Sequence, residues 1–297
     1  MKVFLKKIYS LIPFKKAMFS ALKRIWVPPF GIYQHLYFND TITVKIDNYR
    51  TFKMVHYGHP IENELFWKGL FNSWEKYSLG VWAGLSEKAN VIFDIGANTG
   101  IYSMVAKAKN KDADVHAFEP FQAICKKLVH NAGINGYDIH CNCAAISNYT
   151  GDGVIYTANE NFAYSVTVNQ NLWVKDSEPI KIDIKTTTLK DYIEKNNIQS
   201  IDLMKIDVET HEPEVMEGFD EYFLQFKPII LIEILNEEVA ARLNNYFAAV
   251  DFDFYNIDEL VGIKKVNKLS KSDYYNFLIV PKEKAHLYNE KSFIHLK

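Results

Sequence analysis

Val91-Ile-Phe-Asp-Ile-Gly-Ala-Asn-Thr-Gly100 is the stretch on which the reading of this chain turns. Val91 to Ile95 is an apolar run with the composition of a buried strand, and Asp94 stands near its end. Gly96 and Gly100 bracket Asn98 in a tight turn, after which Ile101, Val105 and Ala108 recur at helical spacing. Glycine lets a backbone turn sharply and come close to a ligand. A strand end passing into a helix start is where open α/β sheets bind nucleotides. The spacing is not the dinucleotide fingerprint G-x-G-x-x-G. It is Asp-x-Gly-x-Asn-x-Gly, with a carboxylate ahead of the turn where a pyrophosphate would be repelled. A ligand carrying an amine and a sulfonium is attracted there instead, and S-adenosylmethionine is such a ligand.

Working outward, Val115 to Phe118 ends in Glu119-Pro120, roughly 20 residues beyond the turn, where a carboxylate grips ribose hydroxyls. Ile201 to Val208 forms a further apolar run that closes on Lys205-Ile-Asp-Val-Glu209. A lone glycine turn often serves the fold and nothing else. Asp94, Gly96, Gly100 and Glu119 taken together favour the functional reading.

The 297 residues are 48% hydrophobic and 24% charged, enough to bury a full core in one large domain or two small ones. The formal net charge of -2 disfavours nucleic acid as a partner. Cys125, Cys141 and Cys143 make neither a disulfide framework nor a zinc site. Cys141 and Cys143 alternate on a candidate strand and are expected to pack as small apolar groups, which implies a reducing, cytoplasmic compartment.

The charge is unevenly placed. No acidic residue precedes Asp40, while Lys2, Lys6, Lys7, Lys15, Lys16, Lys23 and Arg24 interleave with Phe4, Ile8, Leu11, Phe14, Met18, Phe19, Leu22, Ile25 and Trp26. No apolar run reaches the roughly 18 residues that cross a bilayer. Nor is there an apolar core with a small-residue cleavage site, so a cleaved signal peptide is not expected. Residues 2–26 then form either a helix docked on the protein, the commoner fate, or a peripheral contact with anionic lipid at the inner face of a membrane.

Four regions follow: a basic amphipathic segment over 1–40, a hairpin and helix lead-in over 41–90, an α/β domain over 91–281, and a charged tail over 282–297. Residues 41–56 read as a hairpin and 62–85 as one helix. Strands are expected at 91–95, 114–118, 138–143, 201–207, 228–234, 251–257 and 275–281. Helices are expected at 100–109, 121–133, 188–197, 211–225 and 236–249. Such alternation is the signature of a doubly wound parallel sheet. The stretch 144–187 breaks it, with extra strands at Ile155 to Thr157 and Ile180 to Ile184 and the aromatics Phe162, Tyr164 and Trp173. Long insertions of this kind usually build the substrate side of a pocket.

Asp94-Ile-Gly-Ala-Asn-Thr-Gly100, Glu119-Pro120, Thr188-Leu-Lys-Asp-Tyr-Ile193, Asp202-Leu-Met-Lys-Ile-Asp-Val-Glu209 and Glu212 together resemble the FkbM family of S-adenosylmethionine-dependent methyltransferases. The resemblance runs from about Val91 to Glu233 as ordered motifs. It implies a class I (Rossmann-like) methyltransferase fold, a seven-stranded sheet with the last strand antiparallel, here preceded by an N-terminal helical and hairpin extension. It also implies O-methylation, often of sugar hydroxyls in glycans or natural products. The family pattern is close to Lys-Ile-Asp-x-Glu-Gly-x-Glu, and Thr210 stands where Gly is usual.

By resemblance, Asp94 and the backbone from Gly96 through Asn98 to Gly100 hold the methionine end of the donor. Glu119 accepts both ribose hydroxyls, the chain around Asn142 to Ala145 lines the adenine, and Asp207 faces the methyl. Asn142 itself also reads as a strand-end polar residue. A sugar hydroxyl needs a base during transfer, and Glu209 or His211 is a candidate, although a loop histidine is often incidental. Glu212 reads equally as charge stabilisation of a helix N-terminus. Asp207, Glu209 and Glu233 could instead cage Mg²⁺, but no Asp-Asp-Asn type of ligand set is visible and no metal is expected. The competing readings are a metal-dependent O-methyltransferase, a non-catalytic donor-binding scaffold at a membrane surface, and a dehydrogenase, the last disfavoured by the glycine spacing. The acceptor's identity and the oligomeric state are not legible.

Overall fold

The structure is a computed structural model that describes residues 9, 12–157, 180–248 and 251–287. Phe162, Tyr164 and Trp173 lie outside the described residues. The chain divides into two compact units, residues 1–74 and 75–297.

In the first unit, helix α1 (Lys15–Ile25) and the single turn α2 (Phe30–Tyr33) precede an antiparallel hairpin, β1 (Asp40–Lys45) and β2 (Thr51–His56), and then helix α3 (Pro60–Lys68). Ile42 and Val44 on β1 and Phe52 and Met54 on β2 are buried, the period of two expected of a hairpin with one covered face. Phe19 of α1 packs tilted against Trp67 of α3 with ring centroids 5.7 Å apart, and Phe38 meets Phe66 edge-on at 4.9 Å. Of α1, only Phe19 is buried. His56 Nε2 lies 3.2 Å from Asn63 Oδ1, and Asn63 Nδ2 donates to the Tyr33 carbonyl at 2.7 Å. Burial pushes the His56 imidazole down to about 4.

The single helix expected over 62–85 is instead α3, a 3-10 turn at Leu70–Asn72, and α4 (Lys76–Ser86). Gly69 causes the break: it adopts φ +81, a conformation that terminates a helix and suits only a residue without a Cβ.

The second unit carries the sheet. Its elements are α4, β3 (Val91–Ile95), α5 (Ile101–Lys109), β4 (Asp114–Phe118), α6 (Gln122–Asn135), β5 (Ile139–Asn142), β6 (Ala145–Ile146), β7 (Gly151–Thr157), β8 (Ile180–Thr187), α7 (Leu189–Asn196), β9 (Leu203–Ile206), α8 (Glu212–Glu217), α9 (Glu221–Phe226), β10 (Ile229–Glu233), α10 (Glu237–Phe247), β11 (Phe252–Asp258), β12 (Gly262–Val266) and β13 (Asn276–Pro281). The main sheet has eight strands in the order β12-β11-β13-β10-β9-β3-β4-β5. Strands β5, β4, β3, β9 and β10 pair in parallel, and β13 runs antiparallel between β10 and β11. Setting β12 aside, these are the seven expected strands with the last one antiparallel. The eighth, β12, is an edge strand paired with β11, and its Lys264 and Lys265 face solvent. A short strand with exposed lysines has no apolar alternation to announce it, and charge suits an edge.

Strand β9 is buried along its length, and β3 is buried from Ile92 to Ile95. Each fully buried Ile, Leu or Phe contributes about 1.5–3 kcal/mol, so the central strands hold the site's frame rigid. Strands β6, β8 and β7 form a separate three-stranded sheet, so the two extra strands of the 144–187 insertion pair with each other.

Two further expectations are corrected. The helix expected over 211–225 is split into α8 and α9, because the Gly218 carbonyl accepts from Lys190 N at 2.9 Å and Asp220 turns to φ +52. Cys125 and Cys143 form a disulfide, leaving Cys141 free. Strand β5 ends at Asn142, so Cys143 leaves the sheet and meets α6 instead of sharing a face with Cys141. A reducing compartment therefore finds no support in these cysteines. Among the described residues, no helix is long and apolar enough to cross a membrane.

Candidate active site

The site gathers at the carboxyl ends of β3, β4 and β9, the crevice where open α/β sheets bind ligands. Asp94 is fully buried in β3, and its Oδ2 accepts from Ser103 Oγ on α5 at 2.6 Å. Its Oδ1 is buried with no hydrogen-bond partner, an acceptor of the kind an ammonium group would satisfy. Burial raises the Asp94 pKa, opposed by the charge of Lys205.

The turn after β3 is fixed from two sides. The N–H groups of Gly96 and Ala97 donate to the Phe118 carbonyl at 3.0 and 2.9 Å, joining the turn to the end of β4. Gly96 has φ +80, and a Cβ there would collide with the Asp207 carbonyl beyond β9. Only glycine fits both requirements. Asn98 also takes a left-handed conformation, φ +49, which asparagine tolerates, and its N–H donates to Glu119 Oε2 at 3.0 Å. Gly100 caps α5.

Glu119 follows β4 and is 7% exposed. Its Oε1 accepts from Phe121 N at 2.9 Å. Burial pushes its carboxyl up to about 7, against those two backbone donors. Each carboxylate oxygen accepts more than one hydrogen bond, so the group keeps capacity for two hydroxyls. The Asn142 side chain is turned to structural duty: Nδ2 donates to the His140 carbonyl at 2.8 Å and to Tyr192 Oη at 3.1 Å. The main-chain carbonyl of Asn142 accepts from Glu119 N at 3.0 Å.

Asp207 leaves β9 with its N–H on the Ile95 carbonyl at 3.0 Å. Lys205 Nζ, 4% exposed, donates to Asp207 Oδ2 at 2.7 Å and lies 4.6 Å from the centre of the Tyr102 ring. Burial works against this ammonium, yet Asp207, Asp94 and Glu75 outweigh it and push its pKa above the ordinary lysine value. Glu75 in turn accepts from Tyr102 Oη and Asn276 Nδ2, each at 2.9 Å. Glu75, Tyr102 and Asn276 are the members of this network that sequence reasoning missed. They come from α4's entry, α5 and β13, and no spacing links them.

Beyond Asp207 the chain makes a left-handed double step at Glu209 and Thr210, φ +56 and +76. In the pattern that the chain resembles, glycine is usual at position 210, and a backbone at these angles favours it. A β-branched residue here carries strain of order 1–3 kcal/mol. Glu212, fully buried at the start of α8, holds this loop: Oε1 accepts from Val208 N at 3.2 Å and Thr210 N at 3.3 Å. Burial pushes its carboxyl up to about 8. The spacing of Glu212 four residues beyond Val208 is a signal that could have revealed this clasp.

His211 is held by both ring nitrogens, with Nε2 2.9 Å from Ser147 Oγ and Nδ1 3.5 Å from Glu214 Oε2. Burial lowers its pKa. Glu233, at the end of β10, is pushed up to about 10 by burial and by the charges of Asp207, Glu209 and Glu212. Mutual repulsion among these carboxylates thus adds to burial in favouring the protonated form of Glu233. Among the described residues, Asp207, Glu209 and Glu233 do not form a trio with ligand atoms within 4.8 Å of one another.

The residues present fit S-adenosylmethionine: a partnerless buried acceptor for an ammonium, a tight turn that Gly96 lets close against the Asp207 carbonyl, and a carboxylate for ribose hydroxyls.

Residues 94–260 match the family model described as the methyltransferase FkbM domain. The chain is 25% identical over 168 residues to methyltransferase sdnD of Sordaria araneosa, spanning 48% of this chain and 65% of that one. It is 26% identical to the 31-O-demethyl-FK506 methyltransferase FkbM of Streptomyces tacrolimicus, spanning 44% and 60%. It is 27% identical to the hexuronic acid methyltransferase AglP of Haloferax volcanii, spanning 50% and 57%. The matches thus span less than two thirds of the length of these relatives. Among solved structures, a methyltransferase FkbM from Methylobacillus flagellatus superposes with a TM-score of 0.38 at 14% identity, covering 64% of this chain and 43% of that one. At that score the likeness adds nothing to the family match.

Proposed function

Because this chain belongs to the FkbM methyltransferase family, we propose that it transfers a methyl group from S-adenosylmethionine to a hydroxyl, that of a sugar in a glycan or related metabolite. The observation that carries the reading is the contact between Gly96 and the Asp207 carbonyl. It puts the turn that would cradle the donor directly against the loop that would meet the acceptor. When bound, the donor supplies a methyl on a positively charged sulfur, which departs as a neutral thioether. The chain's own residues then position, desolvate and deprotonate.

Asp94 takes the donor's ammonium, the turn from Gly96 through Asn98 to Gly100 holds the methionine end, Glu119 takes the ribose hydroxyls, and the backbone at Asn142 borders the adenine. Asp207, held by Lys205, faces the methyl. Glu209 takes the hydroxyl proton as the oxygen attacks. His211, engaged at both nitrogens, positions this loop against Ser147. The sugar assignment rests on the family's habit and on the relative named a hexuronic acid methyltransferase. The apolar residues exposed on the first unit support a peripheral contact with an anionic membrane.

The test is transfer measured by mass spectrometry over a panel of uronic acids, neutral sugars and macrolide hydroxyls. Glu209→Gln is expected to leave donor affinity nearly intact and to lower turnover by roughly 10²-fold or more. Unchanged turnover in this variant would displace Glu209 from this role.

A further inference from the structure

Away from the donor site, Asp114 and His116 lie two residues apart on β4 and therefore on one face of the sheet. His140 on the edge strand β5 stands opposite His116 in register. The two imidazoles stack with centroids 4.5 Å apart and planes 14° from parallel. Asp114 sits between them, Oδ2 3.2 Å from His116 Nε2 and Oδ1 3.0 Å from His140 Nε2. One ligand atom from each of the three lies within 4.8 Å of the other two, and among the described residues no other trio of His, Cys, Asp or Glu does so.

We propose that Asp114, His116 and His140 form a binding site for a divalent cation of the zinc type. His116 is 3% exposed, and its Nε2 is buried and faces the Asp114 carboxylate as its one polar neighbour in the cluster. Its other nitrogen, Nδ1, shares a 2.8 Å hydrogen bond with Tyr192 Oη on α7. A metal-binding imidazole is characteristically fixed in this way through its far nitrogen. With Nδ1 protonated, Nε2 presents its lone pair to the cluster. Tetrahedral zinc with nitrogen and oxygen ligands at about 2.0–2.2 Å sets ligand atoms about 3.3 Å apart. The separations from the two Asp114 oxygens, 3.2 and 3.0 Å, are close to that, and binding would rotate the side chains to bring all three ligand atoms onto one ion.

Two imidazoles and one carboxylate suit zinc or copper better than magnesium or calcium, which prefer oxygen alone. The side chains of His140 and Asp114 are 52% and 46% exposed, which leaves the fourth position to water. The site is independent of the methyl-transfer reading. An ion there would tie the edge strand β5 to β4. Tyr192, which orients His116, also accepts from Asn142 Nδ2 at 3.1 Å, so the brace would extend to the strand end beside Glu119.

The experiment uses the full untagged chain, stripped with a chelator and titrated with Zn²⁺ by calorimetry and with Co²⁺ by visible absorption. Saturable uptake of one equivalent is expected, with cobalt d–d bands and no thiolate charge-transfer band. Asp114→Asn and His140→Gln, both at half-exposed positions where circular dichroism checks the fold, should each weaken Zn²⁺ binding by roughly 10²-fold or more. No saturable uptake by the parent chain would overturn the site. So would undiminished binding in both variants, or a thiolate band placing the ion on Cys141.

Discussion

Thr210 and Glu212 show how single residues set the reacting loop. Thr210 holds φ +76 where the family pattern has glycine, and its Oγ1 is buried without a partner. Glu212 offsets that strain by accepting two backbone N–H groups from the loop. The same burial pushes its carboxyl up to about 8. Its folded pKa therefore lies above its unfolded value, so the folded chain holds the extra proton between about pH 4.5 and 8. Stability from this group is fully present below that window and is lost as pH rises through it. Thermal unfolding of the donor-free chain is expected to show a loss of roughly 2–4 kcal/mol from this group between pH 5 and 8. Glu212→Gln should make the slope shallower while keeping an acceptor for the loop, leaving the contributions of Glu119 and Glu233; an unchanged slope would remove Glu212 as a cause.

At the scale of elements, the site depends on strand ends from across the sheet meeting at Lys205. This buried ammonium faces Asp207, Asp94 and Glu75. Lys205→Met should cost about 3–5 kcal/mol, because removing one partner strands the others' charge in a low-dielectric interior. A denaturant midpoint within about 0.5 kcal/mol of the parent's would contradict that network. The strands carrying Asp94, Glu119 and Asp207 were legible, because continuous apolar runs ending in a carboxylate are a local signal. Glu75, Tyr102 and Asn276 were not, since their meeting is fixed only by α4 and β13 packing onto the sheet. The breaks at Gly69 and Asp220 escaped for a related reason: apolar periodicity continues across both, and only the backbone angles interrupt the helices. Strand β12 and the Cys125–Cys143 pairing depend on neighbours that no spacing announces.

For the whole molecule, the first unit adds a surface that the methyl-transfer chemistry does not need. Phe14, Met18, Ile25, Trp26 and Phe30 are exposed, up to 88% for Ile25, among the lysines of α1. Each basic residue near an anionic membrane is worth about 1 kcal/mol within a Debye length. The chain is expected to sediment with anionic vesicles and to release at high salt. Phe14→Ser with Ile25→Ser should abolish sedimentation; equal sedimentation of the variant would remove this surface from the account. Removing residues 1–39 is a poor test, because Phe19, Tyr33 and Phe38 are part of the first unit's core. The second unit carries the central claim, that the crevice at β3, β4 and β9 binds S-adenosylmethionine through Glu119. Titration calorimetry with S-adenosylhomocysteine tests it most directly. The account predicts saturable one-site binding, weakened roughly 30- to 150-fold in Glu119→Ala by the loss of about 2–3 kcal/mol of charged hydrogen bonding, with NAD silent. Tight binding of NAD with no heat from S-adenosylhomocysteine would contradict it.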